Sequence, residues 1–506
     1  MRIAKELGVA GMLLFALTAC SKDNTPVAQT SQEQFHFRLY HQPGKGWIGD
    51  VMPYYVDGKY ELYYLHDATN LEKQSSKGQH AIHKLSGSNL LHMEDQGEMI
   101  PFEDVRSQDH LLGTGSVVKV GELFYFYYTG HNSSASWLEN NNPIWTSPNS
   151  REAVRYATSS DGRTWKKKAD FVLRAPLGYE RNEFRDPYVF YNEEFGEYWM
   201  LVSTRQNGRG VLLYYTTNDP ASNTWQPHGP LDIEGDYHML ECPDMFRIGD
   251  RYYLLFAEDW SGTPGTHYRV ASSTKGPWKK PENGADMFDG HQFYAGKTAS
   301  DGSKRYAFAW AHRRFPESDN GARTWGGNLI THEIYAVNEG KLEVKIPEAY
   351  LSEVAKDVAW RLSGKEGNVT ESEYGITLNS IGTEASANLN ELDGTVRIEA
   401  NVTWSAETET FSLLFGDGAY EVRFEKENKR IAGYKYGEKI TEVPFDFSPS
   451  GSGDLRVIVD GSVLVIYLND EVALTNRSYS LQKHSWGIKA RGGTVSFSDL
   501  KLYGVQ

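Results

Sequence analysis

The chain has 506 residues, a formal net charge of −15, 13% aromatic residues and 48 glycines. The acidic balance argues against nucleic acid and anionic membrane surfaces as partners. Abundant Tyr, Trp, Phe and Gly without long helical periods argue against a helical protein. They point to two or three all-β domains and a neutral ligand such as a sugar.

The first twenty residues read as an export signal. Arg2 and Lys5 precede an apolar run over residues 8–17, too short to span a bilayer. Leu17-Thr18-Ala19-Cys20 resembles a bacterial lipobox, which implies cleavage before Cys20 and acylation of its thiol. The plainer alternative is an ordinary secretory signal with a chance cysteine. Residues 21–36 are polar and read as a tether. Lys22-Asp23 loosely resembles the surface-export signal of Bacteroides-type lipoproteins. The expectation is an exported lipoprotein of the outer membrane, facing the surface or the periplasm, that meets the membrane only through its anchor. Cys242 is the one other cysteine, so no disulfide framework is expected.

Within a domain over 37–346, one unit recurs from Trp47 to about Arg314. A strand opens on an acidic or small residue, turns at Gly or Asp, and pairs back with an aromatic-rich strand. Asp50-Val51-Met52-Pro53-Tyr54-Tyr55 and Tyr60-Glu61-Leu62-Tyr63-Tyr64-Leu65 flank the Asp57-Gly58 turn, a strong hairpin signal. Similar hairpins start near Gly115, Asp186, Asp244 and Gln292. Between them, outer strands end in polar turns that carry Trp165, Trp225 and Trp278. Five such units of four strands predict a five-bladed β-propeller, with a large sandwich as the alternative. Residues 347–358 read as a linker. From 359 to 506, short alternating strands with Gly, Asn and Asp turns predict a C-terminal β-sandwich. Within it, Val463-Leu464-Val465-Ile466-Tyr467-Leu468 is apolar without alternation.

Residues that open the inner strands of a propeller converge at one face. Asp50, Asp186 and Glu241 stand at such openings, at equivalent positions, with Asp244 just beyond the last. Two carboxylates flanking a bond are what glycoside hydrolysis requires, one to attack or activate water and one to donate a proton. The plainer reading is a set of solvated loop acids. Arg185, next to Asp186, would hold that acid ionised, and the apolar Met239, Leu240 and Cys242 around Glu241 would favour its protonated form. Cys242 reads as a small buried neighbour of the acid rather than a nucleophile. No His/Cys/Asp cluster has metal-ligand spacing, so neither metal nor cofactor is expected.

Taken in order, these motifs resemble glycoside hydrolase family 32, the β-fructosidases, over most of residues 38–506. Arg185-Asp186-Pro187 resembles the family's Arg-Asp-Pro motif, and Glu241-Cys242-Pro243-Asp244 its Glu-Cys motif. Gly46-Trp47-Ile48-Gly49-Asp50 occupies the place of its Trp-Met-Asn-Asp-Pro box. Phe293-Tyr294-Ala295-Gly296-Lys297-Thr298, followed by Trp310, resembles its last-blade motif. The resemblance implies a retaining mechanism with Asp50 as nucleophile, Asp186 as transition-state stabiliser and Glu241 as acid/base. The chain departs from the pattern at Gly49, Val51 and Met52 in the first box, at Leu65 in place of a Gln, and at Gly113-Thr114-Gly115-Ser116, which lacks a Phe.

Trp47, His66, Asp67, Thr114 and Arg185 are the candidate sugar contacts. His66 and Asp67 read equally as a hydrogen-bonded loop pair, and Trp47 as rim packing. The expected substrate is an oligo- or polysaccharide ending in β-fructofuranosyl units. A furanosidase of other specificity, such as an arabinofuranosidase, and a non-catalytic surface glycan-binding lipoprotein are the rivals. Residues 137–145 form an insertion that reads as a rim subsite or as a plain disordered loop.

Overall fold

A computed structural model describes residues 35–68, 80–139, 149–282 and 284–506. The signal, Cys20, residues 21–34 of the tether and residues 140–145 of the rim insertion lie outside the described residues.

Four-stranded antiparallel meanders follow one another along the first part of the chain. Blade one begins with Trp47–Val56 and Lys59–Asp67, blade two with Leu111–Val120 and Leu123–His131, and blade three with Phe184–Asn192 and Glu197–Gln206. Blade four begins with Glu241–Ile248 and Arg251–Glu258, and blade five with Tyr294–Ser300 and Arg305–Phe315. Blades five and one join in one sheet through Ile48 opposite Gly327. Blade four keeps three strands, with the bridge between Val270 and Lys279 in place of a fourth.

The repeated tryptophans explain how blades adhere. Trp165, from blade two, meets Tyr63 of blade one at 5.8 Å and Phe126 at 5.4 Å. Trp225, from blade three, meets Tyr127 of blade two at 5.6 Å. Trp278, from blade four, is buried in one cluster with Trp199 and Leu201 of blade three. Each outer turn thus returns a large apolar ring to the preceding blade, where burial of its area is favourable.

After the propeller, the helix Glu348–Glu353 and the strand Lys356–Val358 occupy the expected linker, and that strand pairs with Thr494–Gly504. An eight-stranded and a seven-stranded antiparallel sheet make up the β-sandwich. Val463–Leu468 is buried on both faces. Val463, Val465 and Tyr467 join the propeller cluster, whereas Leu464, Ile466 and Leu468 fill the sandwich core. Successive side chains of a strand point to opposite faces, so a strand covered on both sides must lose its alternation.

Polar groups complete this interface. Asp460 accepts backbone N–H bonds from Arg38, Leu39 and Tyr40 at 2.9, 2.8 and 2.8 Å. Arg477 donates to the carbonyls of Ala311 and His312 and to Asn328 Oδ1. Asp289 receives Thr475 N–H at 2.7 Å and contacts His332 Nε2 at 2.8 Å. Residues His36–Gln506 form one compact unit.

Candidate active site

Every inner strand breaks its register once, at the same end. In blade one Ile48 faces His66 and Val51 faces Tyr64, so two residues oppose one. The same shift surrounds Asp186-Pro187, Cys242-Pro243 and Ala295-Gly296, and a similar one falls at Thr114. Such bulges re-aim side chains, and proline fits one because it has no N–H to give to a ladder. Asp186, Cys242 and Ala295 have φ of 58°, 51° and 57°. Non-glycine residues hold that left-handed conformation only where their surroundings impose it.

The acids are not register-equivalent, contrary to the expectation from the hairpin pattern. Glu241 precedes its bulge, Asp186 is the first residue of its bulge and Asp50 the second. A one-residue offset on a strand turns a side chain to a different direction. Three blades therefore deliver three carboxyls to one place from three angles.

Cys242 is the hub of that place. Its N–H donates to Asp186 Oδ2 at 2.9 Å. Its Sγ lies 3.7 Å from Asp50 Oδ2, 3.7 Å from Thr114 Oγ1 and 3.8 Å from Asp186 Oδ2. Burial, together with the charges of Asp50 and Asp186, pushes the thiol pKa well up, so Cys242 stays a neutral donor. Asp50 also accepts from Thr114 Oγ1 at 2.5 Å and from Trp310 Nε1 at 2.9 Å. Neutral donors orient Asp50 without neutralising its charge.

Glu241 is held differently. Arg185 Nη2 and Nε donate to Oε1 at 2.8 and 3.2 Å, and the Tyr294 hydroxyl donates to Oε2 at 2.7 Å. Burial raises its pKa against Arg185 and Tyr294, and the Asp50 charge adds to the rise. Burial also pushes Asp186 up to about 7, against Arg185, with the Glu241 and Asp50 charges adding to the rise. Carboxyls this close titrate as a group, and the group retains a proton near neutrality.

The sequence paired Arg185 with Asp186. In the structure the guanidinium reaches Glu241, Glu152 and Glu183 instead. Adjacent strand residues point apart, so sequence neighbours are poor partners here. Asp186 receives Thr129 Oγ1 as the acceptor of its own N–H at 2.9 Å. Asp244 stands aside from the acids: its Oδ2 accepts Thr298 N–H and hydroxyl at 2.9 and 2.7 Å, tying blade four to blade five.

Of the candidate sugar contacts, Thr114 and Arg185 lie on the acids. Trp47 and Asp67 face each other across the first two strands of blade one and share Arg313, whereas His66 lies on the opposite face. The Arg313 guanidinium lies 3.6 Å from the Trp47 ring and donates to Asp67 Oδ2 at 2.9 Å. Trp47 Nε1 donates to Glu317 at 3.1 Å. His66 stacks on His83 at 4.1 Å, and its Nε2 is 2.7 Å from Lys45 O. Gly49, where the resemblance expects Asn, has a physical reason. A Cβ there would lie 1.8 Å from Trp325 Cη2, so an indole takes the space beside Asp50.

Tyr294, Trp310 and Glu152 were not singled out as site residues from the sequence. The last-blade motif contained the signal for the first two. A glutamate opening the apolar strand Glu152–Ser159, where it is buried, is the signal for the third.

A five-bladed propeller that gathers three carboxyls, an arginine and several rings at its mouth, backed by a β-sandwich, defines a class of glycoside hydrolase. The chain belongs to glycosyl hydrolase family 32: the model for the Glycosyl hydrolases family 32 N-terminal domain matches residues 40–342, and that for the GH32, BT1760-like, C-terminal domain matches residues 340–502. It is similar to the raffinose invertase of Escherichia coli, 25% identical with 90% of this chain and 94% of the relative covered. The sucrose-6-phosphate hydrolase of the same organism is 23% identical, with 88% and 89% covered. Among solved structures, the exo-inulinase of Aspergillus awamori superposes with a TM-score of 0.70 at 17% identity, covering 94% of this chain and 99% of that one.

Proposed function

We propose that the protein hydrolyses terminal non-reducing β-fructofuranosyl units of fructans or fructo-oligosaccharides, with retention of configuration. The observation that carries this is the single cluster in which Cys242 touches both Asp50 and Asp186 while Arg185 and Tyr294 hold Glu241. The names of the relatives, which include an invertase and a levanase, point to the same sugar.

In this reading an Asp50 oxygen attacks the anomeric carbon as Glu241 gives its proton to the departing oxygen. The C–O bond breaks and a fructosyl ester forms on Asp50. Asp186 accepts hydrogen bonds from ring hydroxyls, which favours its anion and steadies positive charge at the anomeric carbon. Glu241, now a carboxylate, takes a proton from water, which displaces Asp50. Trp47, His66 and Asp67 remain the candidate ring contacts of blade one, and Thr114 and Arg185 orient the acids.

Release of fructose from levan, inulin or sucrose, with the β-anomer formed first in an NMR time course, is the expected result. Release from arabinan alone, or an α-anomer first, would overturn the reading. We also propose lipid anchoring at Cys20, on the lipobox-like motif. A Cys20→Ser variant that still takes up labelled fatty acid would refute it.

A further inference from the structure

Arg185 serves Glu241, whereas Asp50 is held by neutral donors alone. Lys297 is a buried cation that the chemistry above leaves unused. It stands in Tyr294–Ser300, the inner strand of blade five, and is 1% exposed. Its Nζ donates to Gly115 O in blade two at 2.9 Å and lies 5.2 Å from the ring centre of Tyr188 in blade three. Blade five has blades four and one as its neighbours in the ring. A side chain that reaches blades two and three from there crosses the propeller axis.

The contacts put the ammonium beside the acids. Gly115 follows Thr114, the donor to Asp50, and Tyr188 lies two residues after Asp186. Burial lowers the Lys297 pKa, and Cys242, Asp244, Asp186 and Asp50 act against that fall. Its carbonyl partner and the ring face both favour the charged form. Among the described residues no carboxylate forms a salt bridge with it. A buried charge is costly unless something balances it. Here the balance comes from carboxylates across the axis, and such a benefit is mutual.

Other charged groups nearby do not take its place. Asp244 accepts from Thr298, and Arg305 donates to the same Thr298 hydroxyl and stacks on Phe246 at 4.4 Å. His80, on which the Asp67 and Asp50 charges act, is pushed down to about 4 by burial and is neutral in the working range. Glu241 answers chiefly to burial, Arg185, Tyr294 and Asp50.

We infer that Lys297 is a positioning residue for the reaction: its charge, fixed on the propeller axis by Gly115 and Tyr188, holds Asp50 as an anion ready to attack. This rests on the retaining fructosidase reading above. Two acids of opposite role need opposite surroundings. Lys297 acts on the nucleophile's side and leaves Glu241 its proton.

The test is the pH profile of kcat/KM on fructo-oligosaccharides for wild type, Lys297→Gln and Lys297→Met. Gln keeps a donor for Gly115 O and lacks the charge; Met lacks both. Loss of a nearby cation favours the protonated carboxyl, so the acid limb should move up by about one pH unit in both variants. The alkaline limb, set by the Glu241 proton, should move less, so the bell narrows. A profile lowered at every pH without that shift would make Lys297 a structural tie and overturn the inference. Failure of both variants to fold would overturn it equally. Wild-type protein that cleaves none of the substrates would overturn the fructosidase reading itself, whereas an unmoved acid limb in active variants removes Lys297 alone.

Discussion

The propeller mouth and the sandwich core are built on opposite terms. At the mouth all five inner strands break register at the same end, and carboxyls are buried beside one another. In the sandwich, Phe411 stacks on Phe424 at 4.4 Å inside an apolar cluster, and Glu421 and Glu425 pair with Arg423 and Arg430 around it. One region keeps charge out of water with incomplete compensation; the other satisfies its charges and packs its rings. Proteins violate the rules of stability where function requires it, so the strained region is the one expected to do chemistry.

That contrast can be broken in order of effect. Asp50→Asn and Glu241→Gln should each lower kcat/KM by about a thousandfold or more while leaving the melting temperature near wild type. Near-wild-type turnover in either would remove the mouth's claim to the chemistry. Phe411→Ala should do the reverse. It should cost about 3–5 kcal/mol of stability, read by denaturant unfolding, with turnover of the folded fraction kept. Turnover lost from folded protein would show that the two regions are not separable in this way.

The smallest effect is a pH dependence. Asp186 titrates near 7 in the folded chain and near its ordinary ~3.9 when unfolded. The folded state therefore holds the proton more tightly between those values. The stabilising contribution of that proton is full below about pH 4 and lost as pH rises to about 7, after which the buried anion is a burden. Asp186→Asn should raise the melting temperature more at pH 8 than at pH 5. A larger gain at pH 5 would mean that the anion is well compensated.

Much of this fold can be read from the chain. Asp57-Gly58 between aromatic strands marks a hairpin, the spaced tryptophans mark the repeat, and Val463–Leu468, apolar without alternation, marks a strand covered twice. The gathering of Asp50, Asp186 and Glu241 was legible because each lies near the start of an inner strand. Their relative aim was not, because it depends on bulges that shift one strand against its partner. The partners of Arg185 were also hidden. Glu152 and Glu241 lie 33 and 56 positions away, and only blade packing brings them to its guanidinium. The departure at Gly49 has its reason in the fold alone, where Trp325, far along the chain, fills the space a side chain would need.

The central claim is that Asp50 forms the bond to the sugar. It is tested most directly by quenching Glu241→Gln protein with an activated β-fructofuranoside, whose leaving group needs no proton, and mapping the product by peptide mass. A single fructosyl unit on the peptide that carries Asp50 is the expected result, absent from the Asp50→Asn variant. The same adduct on the Asp186 peptide, or no adduct while the α-anomer is released first, would contradict it.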